Sequence, residues 1–253
     1  MPASTLTKIT TTESKLMLRD GANVFFSVFF PAALLVALAF VIPGFRDPID
    51  GLEGRYAGLN AADLYAPIVV AIAIATVAIT VVPVYLATYR EQGVLRRLAT
   101  TPASPRDLLS AQLIVNLVLM AIGATLALLA AIFVVDVAAP ANFASLVIAF
   151  ALGTVATIAV GLVIAAVAPT AKATTAIAMS VYFPMLFFAG VWTPGPAMPD
   201  AIRSVADFSP VGAAAEAMTD AWFGDWPSPL HLAVMVGWAV AGGFVAAKLF
   251  RWE

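Results

Sequence analysis

Few side chains in this 253-residue chain could do covalent or metal chemistry. It has one histidine, His231, and no cysteine. A thiolate metal site and a disulfide framework are therefore excluded, and a lone imidazole makes neither a zinc cluster nor a relay. A phosphate-binding loop needs Gly-Lys followed by Ser or Thr, so that backbone N–H groups and one lysine cradle the phosphates. The lysines are Lys8, Lys15, Lys172 and Lys248, preceded by Thr7, Ser14, Ala171 and Ala247. Nucleotide cannot be held in that way, and no cofactor is expected in the chain itself. With 13 basic against 15 acidic residues and a pI near 5.4, a nucleic-acid partner is excluded too.

The richest stretch runs from Tyr89 to Asp107 and contains Arg90, Glu91, Arg96, Arg97 and Arg106. Val94, Leu95 and Leu98 make a short apolar strip on a brief helix whose other side carries Arg96 and Arg97. Thr100, Thr101 and Pro102 break that helix. Ser104 can cap the next one, with Pro105 opening it and Asp107 placed to return the bond. The segment is either an ordinary basic loop or a docking element offering aliphatic knobs and a positive face to a partner. A second grouping lies further on, where Tyr182, Phe183, Met185, Phe187 and Phe188 gather around Pro184, a kink site. These aromatics either line a path for an apolar cargo or face lipid and neighbouring helices.

The elements that must position these residues belong to a membrane. The chain is 62% hydrophobic and 11% charged, against roughly 45–50% and about 25% in soluble domains. Six uncharged windows occur, at 21–45, 64–89, 108–135, 137–171, 173–199 and 226–247. Each holds one helix of the roughly 20 residues that cross a bilayer, and none holds two with a turn. The expected class is an all-α membrane protein with six spans at 22–43, 63–88, 105–135, 143–168, 173–192 and 229–249. Orientation follows from Lys and Arg. With the N-terminus inside, ten of the thirteen basic residues are cytoplasmic and only Arg46, Arg55 and Arg203 lie outside. Both termini are therefore expected in the cytoplasm. Ala37-Leu38-Ala39 imitates a signal cleavage site, but the apolar run continues through Ile42, so the first helix is expected to be retained.

Residues 5–20 place Leu6, Ile9, Leu16 and Met17 near one helical face among Lys8, Lys15 and Arg19, which fits either a helix in the headgroup plane or a frayed tail. The stretch 193–228 is long yet carries Phe208, Met218, Trp222, Phe223 and Trp226 beside Asp207, Glu216, Asp220 and Asp225. It fits a helix–turn–helix dipping into the outer leaflet or a flat amphipathic cap. Trp192, Trp222 and Trp226 are expected at the outer interface and Trp252 at the inner one. Small residues recur every four positions at Gly123/Ala127/Ala131, Gly153/Thr157/Gly161 and Ala233/Gly237/Ala241, and are assigned to packing within the subunit in preference to a dimer seam. No charge lies in the central turns of any span, which argues against an ion-coupled carrier. The single histidine argues against a membrane enzyme acting on lipid.

The run Glu91-x-Gly93-x-Leu95-Arg96-x-Leu98-x-x-x-Pro102, followed by Ser104-Pro105-Arg106-Asp107-Leu108-Leu109, resembles the hallmark segment of ABC-2 type permeases, the membrane subunits of one class of ATP-binding-cassette exporters. A second resemblance lies in Phe187-Phe188-Ala189-Gly190-Val191-Trp192, Pro194, Met198-Pro199, Phe208-Ser209-Pro210 and Ala215-Glu216-Ala217-Met218, similar to the family's outer segment. Within the family the chain resembles drug-efflux permeases of the daunorubicin-resistance kind. The resemblance implies a coupling helix at Glu91 to Ala99 within the 89–104 region, docking on a separate ABC ATPase present in two copies. Glu91, Gly93, Leu95, Arg96, Leu98 and Pro102 are its residues, with Leu95 and Leu98 as knobs and Glu91 bracing it. Residues 169–173 match a second, smaller contact. It also implies an interfacial elbow helix at 5–20, a re-entrant outer segment at 193–228, and a second permease, identical or related. ATP and Mg would be bound by the partner ATPase, and the setting would be a bacterial plasma membrane. Tyr182, Phe183, Pro184, Phe187 and Phe188 are the candidate path lining, for an amphipathic drug, lipid or glycolipid-like cargo. The competing function is a secondary, ion-coupled carrier with no ATPase partner.

Overall fold

A computed structural model describes residues 3–94 and 105–249. Among them there are helices and no strand. An amphipathic helix, α1 (Ala3–Arg19), leads into α2 (Gly21–Val41). Then come α3 (Ala61–Glu91), α4 (Pro105–Phe133), α5 (Phe143–Val167) and α6 (Ala171–Phe188). Two shorter helices, α7 (Asp200–Ala206) and α8 (Pro210–Trp222), precede α9 (Pro229–Leu249). Helices α2, α3, α4, α5, α6 and α9 are the six long and apolar enough to cross a membrane. The five turns between spans alternate between two ends of the bundle. The elbow end carries α1, residues 89–94 and residues 168–171; the cap end carries residues 42–60, 134–142 and 189–228.

Local chemistry sets the helix starts. The Asp20 carboxylate accepts the Asn23 N–H at 3.2 Å and opens α2. A capping box closes the start of α3, with Asn60 and Asp63 each accepting the other's N–H at 3.0 Å. Asn142, Thr170 and Ser209 cap α5, α6 and α8 in the same manner. The fifth span stops at Phe188, four residues before the expected end. There Gly190 takes a φ of +86°, a left-handed conformation that releases the chain from the helix.

Helix α3 is the centre of the bundle. In its most apolar window 83% of the residues are buried, whereas the corresponding figures are 28% for α2, 22% for α6 and 17% for α9. Its neighbours are α2, α4, α5, α6 and α8. This placement explains why 64–82 reads as apolar on every side, the pattern of a helix enclosed all round.

Two wide turns shape the packing. In α2 the Phe30 N–H bonds back to Phe25 O, and in α3 the Val82 N–H bonds back to Val77 O, each five residues earlier. Prolines follow directly, Pro31 and Pro83, and a proline has no N–H for the carbonyl four or five residues before it. Those carbonyls are Ser27 O and Ala78 O. Each presses against a glycine of the next helix: a Cβ on Gly123 of α4 would collide with Ser27 O, and one on Gly161 of α5 with Ala78 O. Gly153 seats Ala214 of α8, where a Cβ would come within 2.7 Å of its methyl. Two of the small-residue ridges thus pack inside the chain as expected. The third does not. Ala233 and Ala241 are exposed and Gly237 has no neighbour within 4 Å, because α9 turns Met235, Gly242 and Ala246 inward instead. Trp222 also departs from the interfacial belt: it is buried and its Nε1 donates to Ala138 O at 3.0 Å. Trp192 and Trp226 are exposed, and Trp252 lies outside the described residues.

Candidate functional site

At the elbow end, the last turn of α3 is tied to four other elements. Glu13 of α1, only 6% exposed, accepts a hydrogen bond from the Tyr89 hydroxyl at 2.6 Å and another from the Gln112 amide of α4. Asn116, one turn further along α4, donates to Gln112 O at 2.8 Å and to its Oε1 at 3.2 Å. One turn back on α3, the Tyr85 hydroxyl donates to Asp20 at 3.0 Å and accepts from Asn23 Nδ2 at 3.1 Å. Arg90 donates to Ala165 O at 3.1 Å and to Ala168 O at the end of α5. Glu91 then accepts the Ala171 N–H at 3.0 Å, which sets a carboxylate at the N-terminus of α6, where the helix dipole favours negative charge. Gly93 ends the helix with φ +67°, its N–H bonded to Arg90 O at 3.0 Å. A non-glycine residue would be strained there.

Along α6 the aromatic group divides. Tyr182 is buried and shares a hydrogen bond of 2.8 Å with Thr76 of the wide turn in α3. Phe183 (56% exposed) and Pro184 face outward with Thr175, Met179 and Ser180. Phe187 and Phe188 are half-buried, their rings 6.0 Å apart edge to face, and Phe187 also meets Trp192 at 6.3 Å.

At the cap end, α8 packs on α3 and α5. The N–H groups of Ala141 and Asn142 bond to Trp222 O and Ala221 O at 3.0 and 3.1 Å. The Arg55 guanidinium donates to Asp220 at 2.9 Å, Asp225 at 3.1 Å and the Tyr56 hydroxyl at 2.8 Å. Burial alone would lower its pKa, but the bonds to Tyr56 and Asp220 outweigh burial and hold it above the ordinary arginine value. Beside it a cleft of about 280 Å³ is lined by Arg55, Asp200, Arg203 and Glu216. Burial pushes the Glu216 carboxyl above its usual range. His231 and Arg203 oppose this while Asp220 and Asp207 add to it.

The family model described as ABC-2 type transporter matches residues 5–223. The chain belongs to the ABC-2 type transporter family. No curated protein matches it. The matched stretch starts within α1 and ends just beyond α8, so it takes in five spans, the whole elbow-end network, Arg55 with Asp220, and the segment between α3 and α4. ABC-2 chains are transport permeases, so this one is a multi-pass membrane component of an exporter and is not itself a catalyst.

Set against this ABC-2 architecture, the expected coupling residues fall in two groups. Glu91 and Gly93 close α3, and Glu91 reaches the start of α6; Leu95, Arg96, Leu98 and Pro102 lie outside the described residues. Of the five expected lining residues, Phe183 and Pro184 share the exposed face of α6, Phe187 and Phe188 sit at its edge, and Tyr182 points into the bundle. The sequence did not single out Glu13, Tyr89, Gln112 or Arg55 as members of polar networks. The one signal for the first three was the pair Gln112 and Asn116, two amides four residues apart in a span. Nothing local could pair Arg55 with Asp220, 165 residues away.

Proposed function

We propose that this ABC-2 chain is one of two permease subunits of an ATP-driven exporter carrying an amphipathic drug, lipid or glycolipid-like cargo across a bacterial plasma membrane. The elbow end then faces the cytoplasm, with both termini, and the segment from Glu91 to Ala99 docks on a separate ABC ATPase. That ATPase binds ATP and Mg. The observation that carries the reading is the joint at the end of α3. A push on the segment after Glu91 reaches α6 through the Ala171 N–H, α5 through Arg90, and α1 and α4 through Tyr89, Glu13 and Gln112. These polar bonds are directional and tie five elements at one joint, as a rigid-body transition requires.

The cargo path is assigned to the open face of α6. On this face the Thr175 and Ser180 hydroxyls bond back to Ala171 O and Ala176 O, while Phe183 and Pro184 give it apolar wall, as amphipathic cargo needs. Two copies related by symmetry would close this face. The segment of α7 and α8 is assigned to the outer leaflet as the re-entrant lid of that path. Purification of the full chain with its co-expressed neighbouring ATPase, followed by transport in proteoliposomes, tests the reading. ATP-dependent cargo movement supports it. Movement driven by an ion gradient with no ATPase present overturns it and restores the secondary carrier.

A further inference from the structure

His231 sits in the first turn of α9, where this span meets the cap. Its Nε2 lies 3.2 Å from Asp207 Oδ1, at the end of α7, and its Nδ1 lies 4.0 Å from Asp220 Oδ2, on α8. The side chain is 12% exposed, and Nδ1 is a buried atom with no hydrogen-bond partner. A neutral imidazole carries one N–H and can serve one carboxylate; the imidazolium donates from both nitrogens. The two acceptors belong to different elements. A second proton would therefore convert a one-sided contact into a bridge that runs α7–α9–α8.

We propose that His231 is a proton-operated clasp, binding Asp207 and Asp220 together in its charged form and holding only one of them when neutral. The charges around it decide the sign. Asp207 faces it from α7, and Asp220 and Glu216 face it from α8; Arg203, on α7, and Arg55, through Asp220 and Asp225, supply the opposing charge. Arg203 also spends hydrogen bonds on Gly195 O and Met198 O, at 2.9 and 3.2 Å. Burial disfavours the charge of Glu216, and Asp207, Asp220 and Asp225 against two guanidiniums still leave the cluster negative. The N-terminus of α9 opposes a cation by about half an elementary charge, which the flanking carboxylates exceed. Histidine changes charge between pH 5 and 8, so acid closes the clasp and mild alkali opens it. Two further ties converge here: Trp238 Nε1 donates to Phe208 O at 2.9 Å and the Ser228 N–H to Asp220 at 3.3 Å. These keep α9 near the cap in either state. The proton adjusts how firmly the cap is held; it does not assemble it.

The proposal concerns the cap itself and stands whether or not an ATPase drives transport; only the side of the membrane that supplies the proton rests on the proposed function. Hydrogen–deuterium exchange on the full chain in lipid nanodiscs at pH 5.5 and pH 8.0, corrected for intrinsic exchange, tests it. Residues 200–233 should be about tenfold more protected at the lower pH, and more so than α4. His231→Gln should level the two pH values, and Asp207→Asn, which leaves the imidazole in place, should remove most of the difference. Glu216→Gln should keep it, which separates the clasp from the titration of Glu216. A cap whose protection is the same at both pH values overturns the proposal. So does a pH dependence that survives both His231→Gln and Asp207→Asn, or one abolished by Glu216→Gln alone.

Discussion

Two carboxylates at opposite ends of the molecule illustrate how little a residue's type says without its surroundings. Glu91 sits at a helix start, where a negative charge is favoured; Glu216 is held in a cleft, where its charge is disfavoured. Glu91→Gln retains an acceptor oxygen but loses the charge facing α6. It should cost about 0.3–1 kcal/mol of stability while reducing cargo-stimulated ATPase activity of the assembled exporter at least several-fold, read by thermal unfolding and phosphate release on the same preparation. Glu216 behaves inversely. Its folded carboxyl pKa is raised above the 4.5 of the unfolded chain, so the folded state holds the proton more tightly. Stability therefore falls as pH rises from that value through the raised one. Glu216→Gln should raise the melting temperature at pH 7–8 and give no gain at pH 4, measured by scanning fluorimetry.

At the scale of elements, the wide turns in α2 and α3 and the glycines opposite them form matched pairs. A proline leaves a carbonyl without its helix N–H, the helix widens, and the carbonyl is pushed into a neighbour that has no Cβ. Gly123→Val and Gly161→Val should each destabilise the bundle by about 1–3 kcal/mol, the range for overpacking a filled interior. Gly237→Val, on the unpacked ridge of α9, should change stability by less than about 0.5 kcal/mol. Equal effects from all three, in unfolding by denaturing detergent, would show that α9 packs through a different face. The thiol-free natural sequence makes a matching test of α6 direct. Single cysteines at Thr175, Ser180 and Phe183 should react quickly with a membrane-impermeant maleimide if they line a cavity, and a cysteine at Tyr182 slowly.

For the molecule as a whole, the buried α3 runs between two polar assemblies. At one end it is bonded to α1, α4, α5 and α6; at the other, the cap is held by Arg55 and by His231. The two differ in their response to pH. Arg55 is held above the ordinary arginine value, so its contribution is present at all working pH and is lost only above the arginine range. His231 carries the adjustable part. Arg55→Gln should loosen residues 210–228 at every pH by a similar factor, consistent with an exposed pair worth about 0.5–1 kcal/mol, as seen by exchange at pH 5.5 and 8.0. Loosening confined to one pH would mean that Arg55 and His231 act as a single unit.

Solvent, the number of spans and the family could be read along the chain, because each depends on local composition. Uncharged windows of bilayer length mark the helices, and the run around Glu91 to Leu109 marks the family. Helix caps were similarly local: the Asn60/Asp63 pair and Pro210 after Ser209 are visible in a few residues. Which apolar helix stands at the centre was not, since all six spans are rich in the same side chains and only their mutual arrangement encloses α3. The same holds for the face of α9, where a ridge that looked made for packing was left outward by the orientation of Met235 and Gly242. Glu13 with Tyr89 and Gln112, and Arg55 with Asp220, are pairings between residues 76 to 165 positions apart. No spacing rule joins such residues. Sequence alone determined that this chain lives in lipid and what kind of transporter part it is; tertiary structure decided which polar groups meet, because a charge finds its partner through the folding of the helices between them.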